Sequence, residues 1–207
     1  MSRRAAWHGD GWWAPASWRP SPNVGPRPPG VQPTLAIVHS ISLPPGHYRG
    51  DAVERLFTNR LNWDEHPYFE SIRGLQVSAH FFVRRSGRVV QFAATGARAW
   101  HAGVSSWRGR SNCNDWSVGI ELEGLDSGGF EQAQYASLVC LLAALARRYP
   151  LREVVGHEDV APGRKTDPGP AFDWFGLARS LQRSPLRVPR VGLAPRRASA
   201  TVRSPGP

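Results

Sequence analysis

The residues best suited to chemistry lie in the run VVGHEDVAPGRKTDPGP, residues 154–170. Within eleven positions it holds an imidazole (His157), an ammonium (Lys165) and a carboxylate (Asp167). Prolines 162, 168 and 170, with glycines 163 and 169, exclude a regular helix or a central strand there. The run is therefore a loop that fixes polar groups, the usual form of a site. Lys165 is the only lysine among 26 basic residues, which suggests that an ammonium rather than a guanidinium is wanted at that point. A solvated turn with a chance lysine is the competing reading.

The partners of such a loop must come from ordered elements elsewhere. Residues 34–40 (TLAIVHS) form an apolar, β-branched run, the pattern of a buried strand. It brings His39 to its end, where the ring either points into a site or packs as a core histidine. Residues 116–123 (WSVGIELE) alternate, with Trp116, Val118, Ile120 and Leu122 on one side and Ser117, Gly119, Glu121 and Glu123 on the other. Periodicity leaves open whether Glu121 faces solvent or a polar cleft. Two imidazoles and a carboxylate, His39, His157 and Asp167, could hold Zn²⁺ and leave a fourth position for water, although no HExxH-type spacing marks them. Glu121 could then take the proton of that water, and Lys165 could steady a developing oxyanion.

The remaining elements frame these residues. Helices are expected over residues 51–58, 67–73, 131–149 and 172–182, the third carrying a Leu138, Leu141, Leu142, Leu145 stripe. Residues 78–85 and 88–93 read as a hairpin turning at Ser86-Gly87, with His80 in its first strand. Cys113 and Cys140 are too few for a disulfide framework, and Cys140 reads as a small core residue. Strands and helices alternate irregularly around the hairpin, which predicts an α/β single domain: a central mixed β-sheet flanked by helices.

Charge has a location. Of the net +10, six arginines and no acid lie in residues 183–207, so basicity belongs mainly to the tail, and a nucleic-acid-binding domain is disfavoured. The tail, rich in Arg, Pro, Ala and Ser, is expected to be disordered. Residues 1–33, with Trp7, Trp12, Trp13 and Trp18, read as an arm strapped over the surface. No secretory leader or membrane-length apolar run is visible, so a cytoplasmic location and no membrane association are expected.

Five segments in order, VHSISLPPG, VSAHFFVRRSGRVVQF, RAWHAGVS, CNDWSVGIELEG and GHEDVAPGRKTDPGPAFDW, resemble the zinc-dependent N-acetylmuramoyl-L-alanine amidases. They are most similar to the cytosolic AmpD group, which acts on 1,6-anhydromuropeptides in peptidoglycan recycling. The resemblance covers about residues 20–180 and implies the peptidoglycan amidase/recognition-protein fold, with the amidase domain at 34–182. It implies that His39, His157 and Asp167 bind zinc, that Glu121 is the catalytic acid/base and that Lys165 is the oxyanion partner. Ser40, Gln76, Trp100, His101 and Asn112 become substrate-binding positions. His101, with His80, can also support the ligands from behind or pack. Phage lysozyme-type amidases and peptidoglycan recognition proteins in the wider family usually have Cys at Asp167 and Tyr at Ala79, so both residues favour the recycling branch. Ser40 replaces a common Asn, and Gln76 and Asn112 stand where AmpD-type chains often have Arg, which leaves affinity for the stem peptide open. The substrate expected is a small anhydromuramyl peptide, handled by a monomer with no specific nucleic-acid partner. The alternative, a non-catalytic peptidoglycan-fragment binding module, has no need for Glu121, Lys165 and a full ligand set together.

Overall fold

The computed structural model describes residues 7–192. Six strands form one mixed sheet: β1 (Ser17–Trp18), β2 (Leu35–Ile41), β3 (Phe81–Val83), β4 (Val89–Gln91), β5 (Ser117–Glu123) and β6 (Glu153–Gly156). Their spatial order is β6-β2-β5-β3-β4-β1. Only the β3–β4 hairpin pairs antiparallel; every other neighbour is parallel. β2 and β5 occupy central positions, and their apolar runs follow from burial on both faces.

Around the sheet lie the helices α1 (Ala52–Phe57), α2 (Pro67–Ser71), α3 (Gln132–Arg148), α4 (His157–Val160), α5 (Trp174–Ser180) and α6 (Pro189–Gly192). The leucine stripe of α3 is fully buried against one face, where it meets Ala36, Val38, Val118, Ile120, Leu122 and Val154. Removing one such leucine side chain would cost about 2–5 kcal/mol. Gln134 ties the helix to the sheet, donating to the carbonyls of Val83 and Glu123 at 3.1 Å each. The opposite face is covered by two separate clusters. One gathers α1 and α2 over Phe82, Val90 and Phe92; the other sets Trp116, Cys113 and Val160 on Leu35, Ile37 and Val155. The side chains of His39 and Glu121 emerge on this divided face, because odd-numbered residues of β2 and β5 share it.

Several expectations need correction. The N-terminal arm does more than strap the surface: Ser17–Trp18 is an edge strand paired with β4, and Trp13 is buried edge-on against Phe81. The tail expected to be disordered from residue 183 stays packed for longer. Leu186 and Val188 are buried, Arg187 bridges to Glu153, and Arg190 donates to Asp159 at 2.7 Å. A leucine and a valine two apart let an Arg/Pro-rich stretch add to the sheet edge. Residues 193–207 lie outside the described residues. Cys140 is exposed on α3 rather than in the core, while Cys113 is the buried thiol. His80 precedes β3 instead of sitting within it, and the 172–182 helix starts later, at Trp174. Asp51 makes no cap hydrogen bond on α1; its carboxylate pairs with Arg55 at 3.1 Å. No helix among the described residues is long and apolar enough to cross a membrane.

Candidate metal centre and active site

Register builds half of the site. In the β5–β2 ladder Glu121 is the direct partner of His39, so the carboxylate and the imidazole leave the sheet side by side. On the other flank of β2, Gly156 pairs with Val38, which delivers the next residue, His157, beside His39. His157 opens α4, and the rings of His39 and His157 lie 4.3 Å apart between centroids. The 161–170 loop then returns to present Asp167. Its Lys165 amide is held by Ala161 O at 3.1 Å, and Asp167 O accepts from the Glu158 amide at 3.0 Å. Gly169, at φ +87, lies flat on the loop that follows β5: an added Cβ would come 2.1 Å from Asp126 O. Thr166 donates to the Asp126 carboxylate at the same place.

The result is a cluster at the floor of a cleft of about 440 Å³. The Nδ1 atoms of His39 and His157 each stand 3.1 Å from the Asp167 carboxylate. One ligand atom from each of the three residues falls within 4.8 Å of the others. Behind the rings, His157 Nε2 faces the carbonyl of Ala102 at 3.1 Å, and His39 Nε2 faces His101 Nδ1 at 3.0 Å. A carbonyl can only accept, so a neutral His157 carries its proton on Nε2 and turns a bare Nδ1 lone pair towards a carboxylate. Two facing acceptors call for a cation between them. Two imidazole nitrogens and one carboxylate also match the three-ligand set of an open zinc site. The residues therefore fit a metal ion.

Protonation states agree. Burial, helped by the neighbouring His157, pushes His39 down to about 4. Burial would raise the Asp167 carboxyl, yet the adjoining His157 and His39 rings hold it well below the usual carboxylate range. At neutral pH the pair is a neutral imidazole and a carboxylate, the forms that bind metal. Glu121 behaves in the opposite way. Its Oε1 lies 3.9 Å from His39 Nδ1, and its buried Oε2 has no hydrogen-bond partner among the described residues. Burial, then the charge of Asp167, raises its pKa well above the usual value, with Lys165 pulling the other way. A carboxyl tuned upward beside a metal cluster suits proton transfer near neutral pH.

Residues 29–170 match the N-acetylmuramoyl-L-alanine amidase family. The chain belongs to this family. It is 50% identical over 167 residues to the 1,6-anhydro-N-acetylmuramyl-L-alanine amidase AmpD of Citrobacter freundii, over 80% of this chain and 89% of that one. A crystal structure of a selenomethionine AmpD derivative superposes with a TM-score of 0.80 at 47% identity, covering 83% of this chain and 97% of the other. AmiD from E. coli, solved in complex with anhydro-N-acetylmuramic acid-L-Ala-D-gamma-Glu-L-Lys, gives a TM-score of 0.53 at 30% identity, over 74% of this chain and 60% of that one. The mixed sheet and its helices are thus the fold of these amidases.

Within this amidase fold, His39, His157, Asp167, Glu121 and Lys165 all line one cleft, Lys165 exposed at its edge. Ser40 and Trp100 line it too, both half-buried, and the buried Ser40 Oγ lacks a partner among the described residues. His101 is buried at the floor behind His39. Gln76 and Asn112 are exposed and do not belong to the cleft lining. Asn112 instead starts the 3₁₀ turn Cys113–Asp115 in a left-handed conformation, φ 53, to which Asn is well suited. Two contributors escaped the sequence reading. Asp126 anchors the Thr166–Gly169 segment, and Arg164 donates to the carbonyls of Ala102 and Val104 at 2.7 and 2.6 Å. Only the position of Arg164, next to Lys165, hinted at a role; Asp126 left no signal because its work is done through a loop contact 40 residues away.

Proposed function

We propose that this protein is a zinc amidase that hydrolyses the amide between the lactyl group of 1,6-anhydro-N-acetylmuramic acid and the L-alanine of the stem peptide, in cytoplasmic recycling of peptidoglycan fragments. The observation that carries the reading is the buried Glu121 carboxyl, its Oε2 without a hydrogen-bond partner among the described residues, beside the His39, His157 and Asp167 cluster. His39 Nδ1, His157 Nδ1 and the Asp167 carboxylate are the atoms that would hold the zinc. When bound, the metal supplies Lewis acidity towards the scissile carbonyl and lowers the pKa of a water from 15.7 to about 7.

The chain's own residues do the rest. Glu121 accepts the proton of the attacking water at its free carboxylate oxygen, and the water oxygen adds to the carbonyl carbon. Lys165, as a point charge at the cleft edge, balances the negative charge that grows on the carbonyl oxygen. Glu121 then delivers its proton to the alanine nitrogen, so the C–N bond breaks with a neutral amine leaving and a lactyl carboxylic acid remaining, whose proton passes to the amine. Trp100, Leu75 and Tyr68 give the cleft apolar wall against which a sugar ring or alkyl stem can pack. The substrate bound in the AmiD complex and the amidase activity named for AmpD support this bond as the target.

The test is mass spectrometry of purified anhydromuropeptide after incubation with the protein, alongside zinc analysis. Release of intact stem peptide and anhydromuramic acid, lost with chelator and restored by zinc, supports the reading; an unchanged muropeptide with zinc bound overturns it.

A further inference from the structure

Each candidate ligand histidine has its back to the same two-residue segment. His39 Nε2 lies 3.0 Å from His101 Nδ1, and His157 Nε2 donates to Ala102 O at 3.1 Å. The segment is itself fixed. Asn114, only 5% exposed, accepts with one Oδ1 from the amides of both His101 and Ala102, at 3.1 and 2.8 Å. The outer nitrogen of His101 meets Ser117 Oγ at 3.2 Å. Gly119 makes room for the ring, since a Cβ there would lie 2.4 Å from His101 Cγ. Ala102 O also accepts from Arg164, so the loop bearing Lys165 and Asp167 rests on the same carbonyl.

We infer that His101–Ala102 is a single support that sets the tautomer of both ligand histidines, and that Asn114 is the positioning residue that holds it in register. The logic is one of proton placement. A His that ligates through Nδ1 must carry its proton on Nε2 and needs an acceptor there. Ala102 O meets that need for His157. For His39 the acceptor is the Nδ1 lone pair of His101, whose own proton then sits on Nε2 and goes to Ser117 Oγ. Both acceptors come from adjacent residues clamped by one amide oxygen, so a shift of that segment loosens both ligands at once. Asn114 does not itself line the cleft, and among the described residues its side chain hydrogen-bonds to none of His39, His157 and Asp167, only to this segment.

This inference rests on the zinc reading above, and its test separates the two. Zinc affinity of the full chain is measured by chelator competition for wild type, Asn114→Ala, Asn114→Asp and Gly119→Ala, with thermal unfolding of the metal-free proteins as a check on folding. Loss of outer hydrogen-bonding partners typically weakens a metal site about 10–100-fold. Asn114→Ala and Gly119→Ala should fall in that range, and Asn114→Asp, which keeps an acceptor oxygen, should recover most of the affinity. Long-range ¹H–¹⁵N spectra of the zinc-loaded wild type should show His39, His157 and His101 all protonated at Nε2. Unchanged zinc affinity in a folded Asn114→Ala overturns this inference alone, as does a ligand histidine protonated at Nδ1. Should Asn114→Ala fail to fold, the wild-type spectra still decide the tautomers. A wild type that takes up no zinc overturns both readings.

Discussion

The site has two halves built by different means. His39 and Glu121 stand on central strands, paired through seven consecutive residues of ladder, and both are buried. Asp167 and Lys165 stand on a Pro/Gly loop held by a few contacts: Gly169 against Asp126, Thr166 to Asp126, and Arg164 to Ala102 and Val104. The strand half is positioned by the fold as a whole, so displacing it means disrupting the sheet. The loop half is positioned locally and can be moved without unfolding the protein. A rigid half that bears the base, set against a loop half that bears the charge partners, concentrates geometric precision where a proton must move over a short distance.

The largest separation between the halves is expected from Asp167→Ala and Glu121→Gln. Asp167→Ala removes a ligand from the loop half, and zinc content and activity should fall together in a folded protein. Stoichiometric zinc at full rate would remove Asp167 from the ligand set. Glu121→Gln alters the strand half, and it should keep zinc while losing about 10²–10⁴-fold in kcat, because an amide cannot accept the water's proton. Metal analysis and kinetics on one preparation of each variant read both effects. Lys165→Ala comes next: zinc retained, with kcat lowered about 10²–10³-fold if it serves as one oxyanion donor. A change confined to KM would give Lys165 a binding role instead.

This division also explains what could be read from the sequence. The strand half was legible by pattern: an apolar run ending at His39, and an alternation that put Glu121 opposite the Val118, Ile120, Leu122 face. The apolar side packs on α3 as the alternation predicts. What periodicity could not decide, whether Glu121 sees solvent or a cleft, is decided by pairing, since the register with His39 is a long-range fact. The loop half was legible by composition, because few segments combine His, Lys and Asp with so many Pro and Gly. Its anchors were not legible: Asp126 and Asn114 hold it or its support through contacts with backbone and hydroxyl groups that leave no residue pattern. The start of the tail, residues 183–190, departs from the expectation of disorder for a related reason. Composition reports average polarity, and two buried side chains, Leu186 and Val188, were enough to order it as far as Arg190.

A milder probe of the strand half is pH. Burial, then the nearby Arg27 guanidinium, pushes His80 down to about 3 from an ordinary 6.5. Its Nδ1 accepts from the Gly119 amide at 3.0 Å, so protonation there would also cost a buried hydrogen bond. The unfolded chain takes up a proton below about 6.5 and the folded one does not until about 3, so stability is present above 6.5 and is lost as pH falls through that window. At pH 5 the loss through His80 alone should be about 2 kcal/mol, from roughly 1.5 pH units at 1.36 kcal/mol each. Urea unfolding at pH 7 and pH 5 measures the total, and the His80 ring signals in NMR should stay in the neutral form throughout. A His80 that titrates near 6 would mean that this side of the sheet admits water.

The smallest effect concerns the edge of the comparison, where neither half reaches. Arg at Gln76 and Asn112 would offer forked bonds to stem carboxylates, and the sequence alone suggests that restoring it should lower KM. The structure points the other way. Both side chains are exposed and outside the cleft lining. The nearby arginines that could substitute are already engaged: Arg73 pairs with Glu70 and Asp64, and Arg110 lies 4.6 Å over the Trp116 ring. An exposed pair contributes about 0–1 kcal/mol, so Gln76→Arg and Asn112→Arg, made singly, should each change KM for an anhydromuramyl tripeptide by less than about fivefold, with kcat unaltered. A well-shielded charged hydrogen bond, at about 1.5–3 kcal/mol, would lower KM by roughly tenfold or more. A fall of that size would show that the stem peptide runs out of the cleft and across Gln76 or Asn112, extending the substrate surface beyond the two halves that hold the chemistry.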